Sequence, residues 1–295
     1  MKTRSAFTMI ELVFVIVVMG IIGKFGVEFL AQAYKSFIYS NVNNALLSKS
    51  ASAVEFIGSR LQYRIKDSVI ARNGTGGAVV GLGSASGTSF SVLEWVSMDI
   101  DGYRATTAPN WSGIADLDPG QALGLIESPA TNTGAISALI AQLSDDSTKS
   151  VNDAALYFIG SNSDVQTGYG WNGALGDQTG AMHPINATGT PTQFTPAVGT
   201  LTGIDVYEYY KLAWTAYAIE HNGDDLILHY DYQPWNGDSI ANGDSKTAII
   251  MEDVNTFQFT AIGEIIKIQV CTQSDIIDGD NDGTGYSLCK EKTIF

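Results

Sequence analysis

The chain has 295 residues, with 31 Asp and Glu against 16 Lys and Arg, and a formal net charge of −15. That balance argues against nucleic acid as a partner, because binding its backbone needs clustered Lys and Arg. The three histidines, His183, His221 and His229, show no His-Glu-x-x-His spacing and no Cys/His nucleophile signature. No enzyme is expected on those grounds.

The chain starts MKTRSAFTMIELVFVIVVMGIIGKF. A basic leader with Lys2 and Arg4 precedes an apolar run from Phe7 to Gly23, broken by one acid, Glu11. A carboxylate inside a membrane segment costs a few kcal/mol, so it marks a functional position by default. Basic residues hold the leader in the cytoplasm and place the chain beyond the helix on the other side of the membrane. This pattern resembles the class III signal of type IV prepilins and type II secretion pseudopilins. The resemblance implies cleavage between Ala6 and Phe7 by a prepilin peptidase and methylation of the new amino terminus. The family's usual residue before the cut is Gly, where this chain has Ala6. Glu11 then becomes the fifth mature residue and is implied to meet the terminal amine of a neighbouring subunit, setting the register of a fibre. The competing readings are a secretory signal cut after Ala31-Gln32-Ala33 and a plain anchor. The first leaves Glu11 without a purpose; the second is slightly short for about 30 Å of hydrocarbon.

Beyond the membrane segment, Leu47, Ala51, Val54, Ile57, Leu61 and Ile65 recur at three- and four-residue steps. That spacing predicts an amphipathic helix, with Lys49, Glu55, Arg60, Arg64 and Lys66 on its solvated face. The expected organisation is a leader over 1–6, a membrane and assembly helix over 7–66, and a β-rich periplasmic head over 67–295. The expected class is α+β and pilin-like: a long amino-terminal helix packed on an antiparallel sheet with loop insertions.

Gly-rich stretches at 73–77 and 81–87 read as turns. Phe90 to Met98 and Ala155 to Ile159 read as strands, with a short helix around Ala135 to Leu143. The stretch from Ser161 to about Thr202 has no assignable element. Asp99-Ile-Asp101-Gly102 reads as a turn. The last third reads as a meander: Tyr207 to Ile219, a turn at Asn222-Gly223-Asp224, Leu226 to Tyr232, Thr247 to Met251, Asn255 to Ala261 and Ile265 to Val270. His229-Tyr-Asp231 places two polar groups on one strand face. The segment IIMEDVNTFQFTAIGEIIKIQV is similar to the late strands of J-type minor pseudopilins and W-type minor pilins.

Two cysteines, Cys271 and Cys289, are expected to form a disulfide in an exported head, worth about 3 kcal/mol. Between them lies Asp278-Gly-Asp280-Asn-Asp282-Gly283. Carboxylates at alternate positions before a Gly match the first half of a calcium loop. The twelfth position of that template is Cys289, so Glu291 or Asp275 is needed for the missing oxygens. The resemblance also favours calcium, which stabilises several pseudopilin heads. The function this reading implies is a minor pilin or pseudopilin, a structural part anchored once in the inner membrane. Its partners are other pilins or pseudopilins and a membrane assembly platform. The alternative is a tip adhesin whose long loops over 99–202 touch a surface or ligand.

Overall fold

The computed structural model describes residues 8–85, 89–116, 124–161, 163–277 and 285–295. The chain divides into two compact units, one ending at Ser48 and one covering Lys49–Phe295. The class is mixed: a long amino-terminal helix, α1 (Met9–Leu61), and antiparallel sheets. The helix stops at Leu61 and not at Lys66. Arg64 instead bridges Ser97, and a short 3-10 turn comes next over Lys66–Ser68.

Three sheets are present among the described residues. The largest is built from β1 (Ile70–Arg72), β2 (Val80–Gly81), β3 (Val92–Ser97), β9 (Thr215–Asn222), β10 (Asp225–Tyr232) and β11 (Lys246–Met251). Their spatial order is β11-β10-β9-β3-β1-β2. The second holds β12 (Val254–Ile262), β13 (Ile265–Ile277) and β14 (Gly285–Ile294) in chain order. The third holds β4 (Ile126–Glu127), β5 (Ala155–Phe158), β6 (Met182–Ala187), β7 (Gln193–Pro196) and β8 (Tyr210–Ala213), ordered β4-β7-β6-β5-β8. Two further helices, α2 (Ile100–Arg104) and α3 (Thr133–Leu143), lie in the connections.

Both faces of the six-stranded sheet are covered, so its central strands are buried on both sides and do not alternate with exposed polar residues. Leu93, Trp95, Ile219, Leu226 and Leu228 join Val54, Ile57 and Leu61 of α1 and Phe257, Ile268 and Val270 of the three-stranded sheet in one core. From the opposite face Val92, Val96, Ala216 and Ala218 meet Tyr169, Trp171 and Trp235. A third core surrounds α3, where Ile136 and Ile140 pack with Leu156, Phe158 and Leu212.

The strand expected over Tyr207 to Ile219 is two strands. It breaks at Trp214, with β8 in the five-stranded sheet and β9 in the six-stranded one. The turn after β9 is the expected one: Asn222 pairs with Asp225 around Gly223, whose φ of 63° suits glycine. The stretch without assigned elements, 161–202, supplies β6 and β7.

Of the residues predicted to be solvated, Lys49, Glu55 and Lys66 are exposed, Arg60 is half-buried and Arg64 is buried. Arg64 is 3% exposed and donates to the Leu61 carbonyl at 2.8 Å and the Glu264 carbonyl at 2.5 Å. The Arg60 guanidinium lies over the rings of Phe56 and Tyr217. Lys66 pairs with Glu264, Glu55 with Lys292, and Lys49 with Asp253. A Cβ on Gly58 would come within 2.9 Å of the Lys292 stem, so this glycine lets β14 approach the helix.

Candidate functional site

Ala6 and Phe7, the expected processing site, lie outside the described residues. Glu11 occupies the first turn of α1 and is exposed. Its Oε2 accepts from the Thr8 backbone N–H at 3.2 Å and from the Thr8 hydroxyl at 3.0 Å. This is the reciprocal half of a capping box, in which an acid at the third helical position satisfies an orphan N–H. The Thr-x-x-Glu spacing in the sequence carries that signal. The acid also sits where the helix dipole favours negative charge. Around it and beyond it, Ile10, Phe14, Ile16 and Phe29 are all more than 60% exposed. One 18-residue stretch of α1 is long and apolar enough to cross a membrane, and none of it is buried.

At the other end of the chain, Cys271 and Cys289 face each other across β13 and β14 and are bonded, with S–S 2.08 Å. Asp278, Asp280 and Asp282 lie outside the described residues. Their flanks are in register, Ile277 opposite Gly285. Glu291 lies on β14. It pairs with Lys267 at 2.7 Å, six residues along β14 from Gly285, or about 20 Å at the strand rise. Among the described residues, no group of three or more His, Cys, Asp or Glu is placed to hold a metal ion. Asp99 is a helix cap and not part of a cation loop. It accepts from the Gly102 N–H at 3.0 Å and from Trp111 Nε1 at 3.2 Å, and burial pushes its carboxyl up to about 6.

Two buried polar constellations in the six-stranded sheet have no counterpart in the sequence reading. In the first, Arg72 Nε donates to Glu94 Oε2 at 2.7 Å, and the Tyr232 hydroxyl donates to Glu94 Oε1 at 2.9 Å. The same guanidinium also donates to the Trp171 carbonyl at 3.1 Å, tying a loop to the sheet. Burial raises the Glu94 carboxyl while Arg72 opposes the rise. In the second, His229 Nε2 lies 2.9 Å from Glu220 Oε2, and Nδ1 lies 2.9 Å from Ser245 Oγ. Hydroxyl, imidazole and carboxylate thus stand in one row across β9, β10 and the start of β11.

His229 and Asp231 do not act together, although their spacing suggests it. A register shift after His229 turns Asp231 to a φ of 59°, where it pairs with Lys246 at 2.9 Å. Nothing in the sequence signals Arg72 and Glu94 as partners, because they are 22 positions apart and become neighbours only through β1–β3 pairing.

Comparison with known proteins returns no match to a family model, a curated protein or a solved structure.

Proposed function

We propose that the chain is a minor pilin or pseudopilin, a structural subunit of a type II secretion or type IV pilus fibre. The observation that carries this reading is Glu11. It is an exposed acid in the first turn of a helix whose neighbouring apolar side chains are uncovered. Lipid covers such a helix while the subunit waits in the inner membrane, and neighbouring helices cover it in a fibre. The carboxylate then meets the amine that cleavage at Ala6–Phe7 creates on an adjacent subunit. Pairing leaves neither charge buried alone, which is the costly state. Thr8 engages only Oε2 of Glu11, so Oε1 is free of that cap.

Prepilin peptidase makes the cut, the membrane platform delivers the subunit, and the head contacts other minor subunits. In the same reading Asp278, Asp280 and Asp282 hold calcium in the segment closed by Cys271–Cys289, and the Ser245–His229–Glu220 row clamps β11 to β10 and β9 without catalysis. The test is the amino-terminal sequence and mass of the protein from membranes, with Glu11→Ala beside it. A methylated Phe7 terminus and a mutant that inserts but fails to copurify with fibres are the expected results. A terminus at Tyr34, or normal incorporation of the mutant, ends the proposal.

A further inference from the structure

The head carries a cleft of about 340 Å³. It is lined by residues from four stretches: Ser161 after β5, Thr179 before β6, His183 within β6, and Asp205 and Tyr207 ahead of β8. The position of His183 is unusual. Only 2% of the residue is exposed, its ring packs 5.0 Å from that of Phe158, and yet it lines the cleft.

Its tautomer is set by Gln178. The Gln178 amide nitrogen donates to the carbonyls of Val198 at 2.8 Å and Pro184 at 3.3 Å, so its Oε1 must be the acceptor for His183 Nδ1 at 3.0 Å. The ring proton therefore sits on Nδ1. Burial pushes the imidazole down to about 4, so it is neutral near pH 7. Nε2 is left as a bare lone pair with no partner among the described residues. His183 is one of the residues that line the cleft. On the cleft wall that lone pair can accept from a ligand hydroxyl in place of water.

The other walls point to the same kind of guest. The Tyr207 ring is seated on Gly160, where a Cβ would stand 3.2 Å from the ring and φ is 114°; a third of Tyr207 is exposed. Thr179 Oγ1 donates to Asp177 Oδ1 at 2.6 Å, which leaves its lone pairs to accept. Asp205 places a carboxylate at the rim, and among the described residues no Lys or Arg lines the cleft. Such a lining repels anions and offers acceptors beside one aromatic face.

We propose that this cleft binds a neutral saccharide of one or two rings, its hydroxyls donating to His183 Nε2 and Asp205 and its C–H face lying on Tyr207. The volume falls at the lower end for small-molecule clefts. The proposal goes beyond the fibre assignment and does not depend on it, since binding is read on the isolated subunit.

The test uses the full chain in a sugar-free zwitterionic detergent, labelled with ¹⁵N-histidine. Glucose, galactose, N-acetylglucosamine and their β1,4-linked dimers are titrated to about 10 mM, well above a millimolar dissociation constant. Glucuronate and glucosamine serve as charged controls. At least one neutral sugar is expected to shift the His183 Nε2 resonance. Tyr207→Ala and Asp205→Asn, both at the rim, should each weaken binding about tenfold while leaving the melting temperature in place. Absence of a shift with every neutral sugar overturns the proposal. So does a shift that both variants leave unchanged, or a preference for glucuronate or glucosamine.

Discussion

Near its amino end α1 exposes its apolar side chains, whereas near its carboxyl end it buries them. Ile10 is 79% exposed; Ile57 is 0% exposed. The residue types are alike, and the difference lies in what the chain supplies as cover. Around Val54, Ile57 and Leu61 the head provides two sheets, and each fully buried aliphatic side chain is worth about 1.5–3 kcal/mol. Around Ile10 and Phe14 the same contribution is unrealised, and in the proposed reading lipid or other subunits supply it. A single helix thus holds one stretch that packs into the head's core and another whose apolar side chains stay uncovered. The first is distinguished by charges that find partners in the head, the second by their near absence.

Substitutions can sharpen this contrast. The largest loss is expected inside the head from Arg72→Ala, which strands the Glu94 carboxylate in a dry sheet. About 3–5 kcal/mol should be lost, lowering the melting temperature by roughly 10 °C or more. Leu61→Ala should cost about 2–5 kcal/mol in chemical denaturation, while Phe14→Ala should stay within about 0.5 kcal/mol for the same transition. Equal effects of the two would erase the distinction between the halves of α1. Next comes Cys271→Ser, or reduction of the native protein, with a loss of about 3 kcal/mol from reopening the loop to Cys289. If calcium sits inside that loop, a chelator should lower the melting temperature of the oxidised protein by roughly 5–10 °C, the linkage expected of a ligand held about a hundredfold above its dissociation constant.

The smallest expected effect is the pH slope of the native head between about pH 6.5 and pH 4, because buried groups there oppose each other. Asp99 titrates near 6 when folded, above its ordinary 3.8, so it stabilises the fold progressively as the pH falls from 6 towards 4. Glu94, also raised, has the same sign. His183 titrates near 4, below its ordinary 6.5, so its contribution is present above 6.5 and is lost as the pH falls. Removing one should expose the other. Asp99→Asn should make acid more damaging than in the parent, and His183→Gln should make it less so. Denaturation midpoints across this window check both signs.

Much of the fold can be read from local pattern. The helix at Ala135–Leu143, the Phe257–Phe259 strand and the glycine turns at Gly223 and Gly263 have short-range signals, and they are present. The Trp214 break is not legible, since Tyr207 to Ile219 is rich in apolar and aromatic residues throughout and only the choice of sheet separates its halves. Strands β6 and β7 are hidden because Pro184 and Pro196 and the surrounding Gly and Thr speak against strand, and pairing of β6 with β5 and of β7 with β6 overrides that preference. Arg64 misleads for a related reason. Its spacing suits a solvated helix face, but the helix has ended and the β12–β13 turn closes over it. Of the site residues, Glu11 and the cysteine pair are visible because their chemistry is local or unavoidable. His183 gives no signal, as its meaning depends on Gln178 fixing a proton.

The cross-link between Cys271 and Cys289 has a mechanical consequence. If the chain serves in a fibre, as proposed, load on the segment after β14 would peel that strand from β13 like a zipper. Ile294 separates from Ile266 first, and the peeling runs inward only as far as Cys289. There a covalent rung takes over from hydrogen bonds. The 18-residue separation spanned by the bond, about 60 Å of extended chain, cannot be let out as slack. The cross-link therefore limits the extension that load can draw from this hairpin to the few residues beyond Cys289.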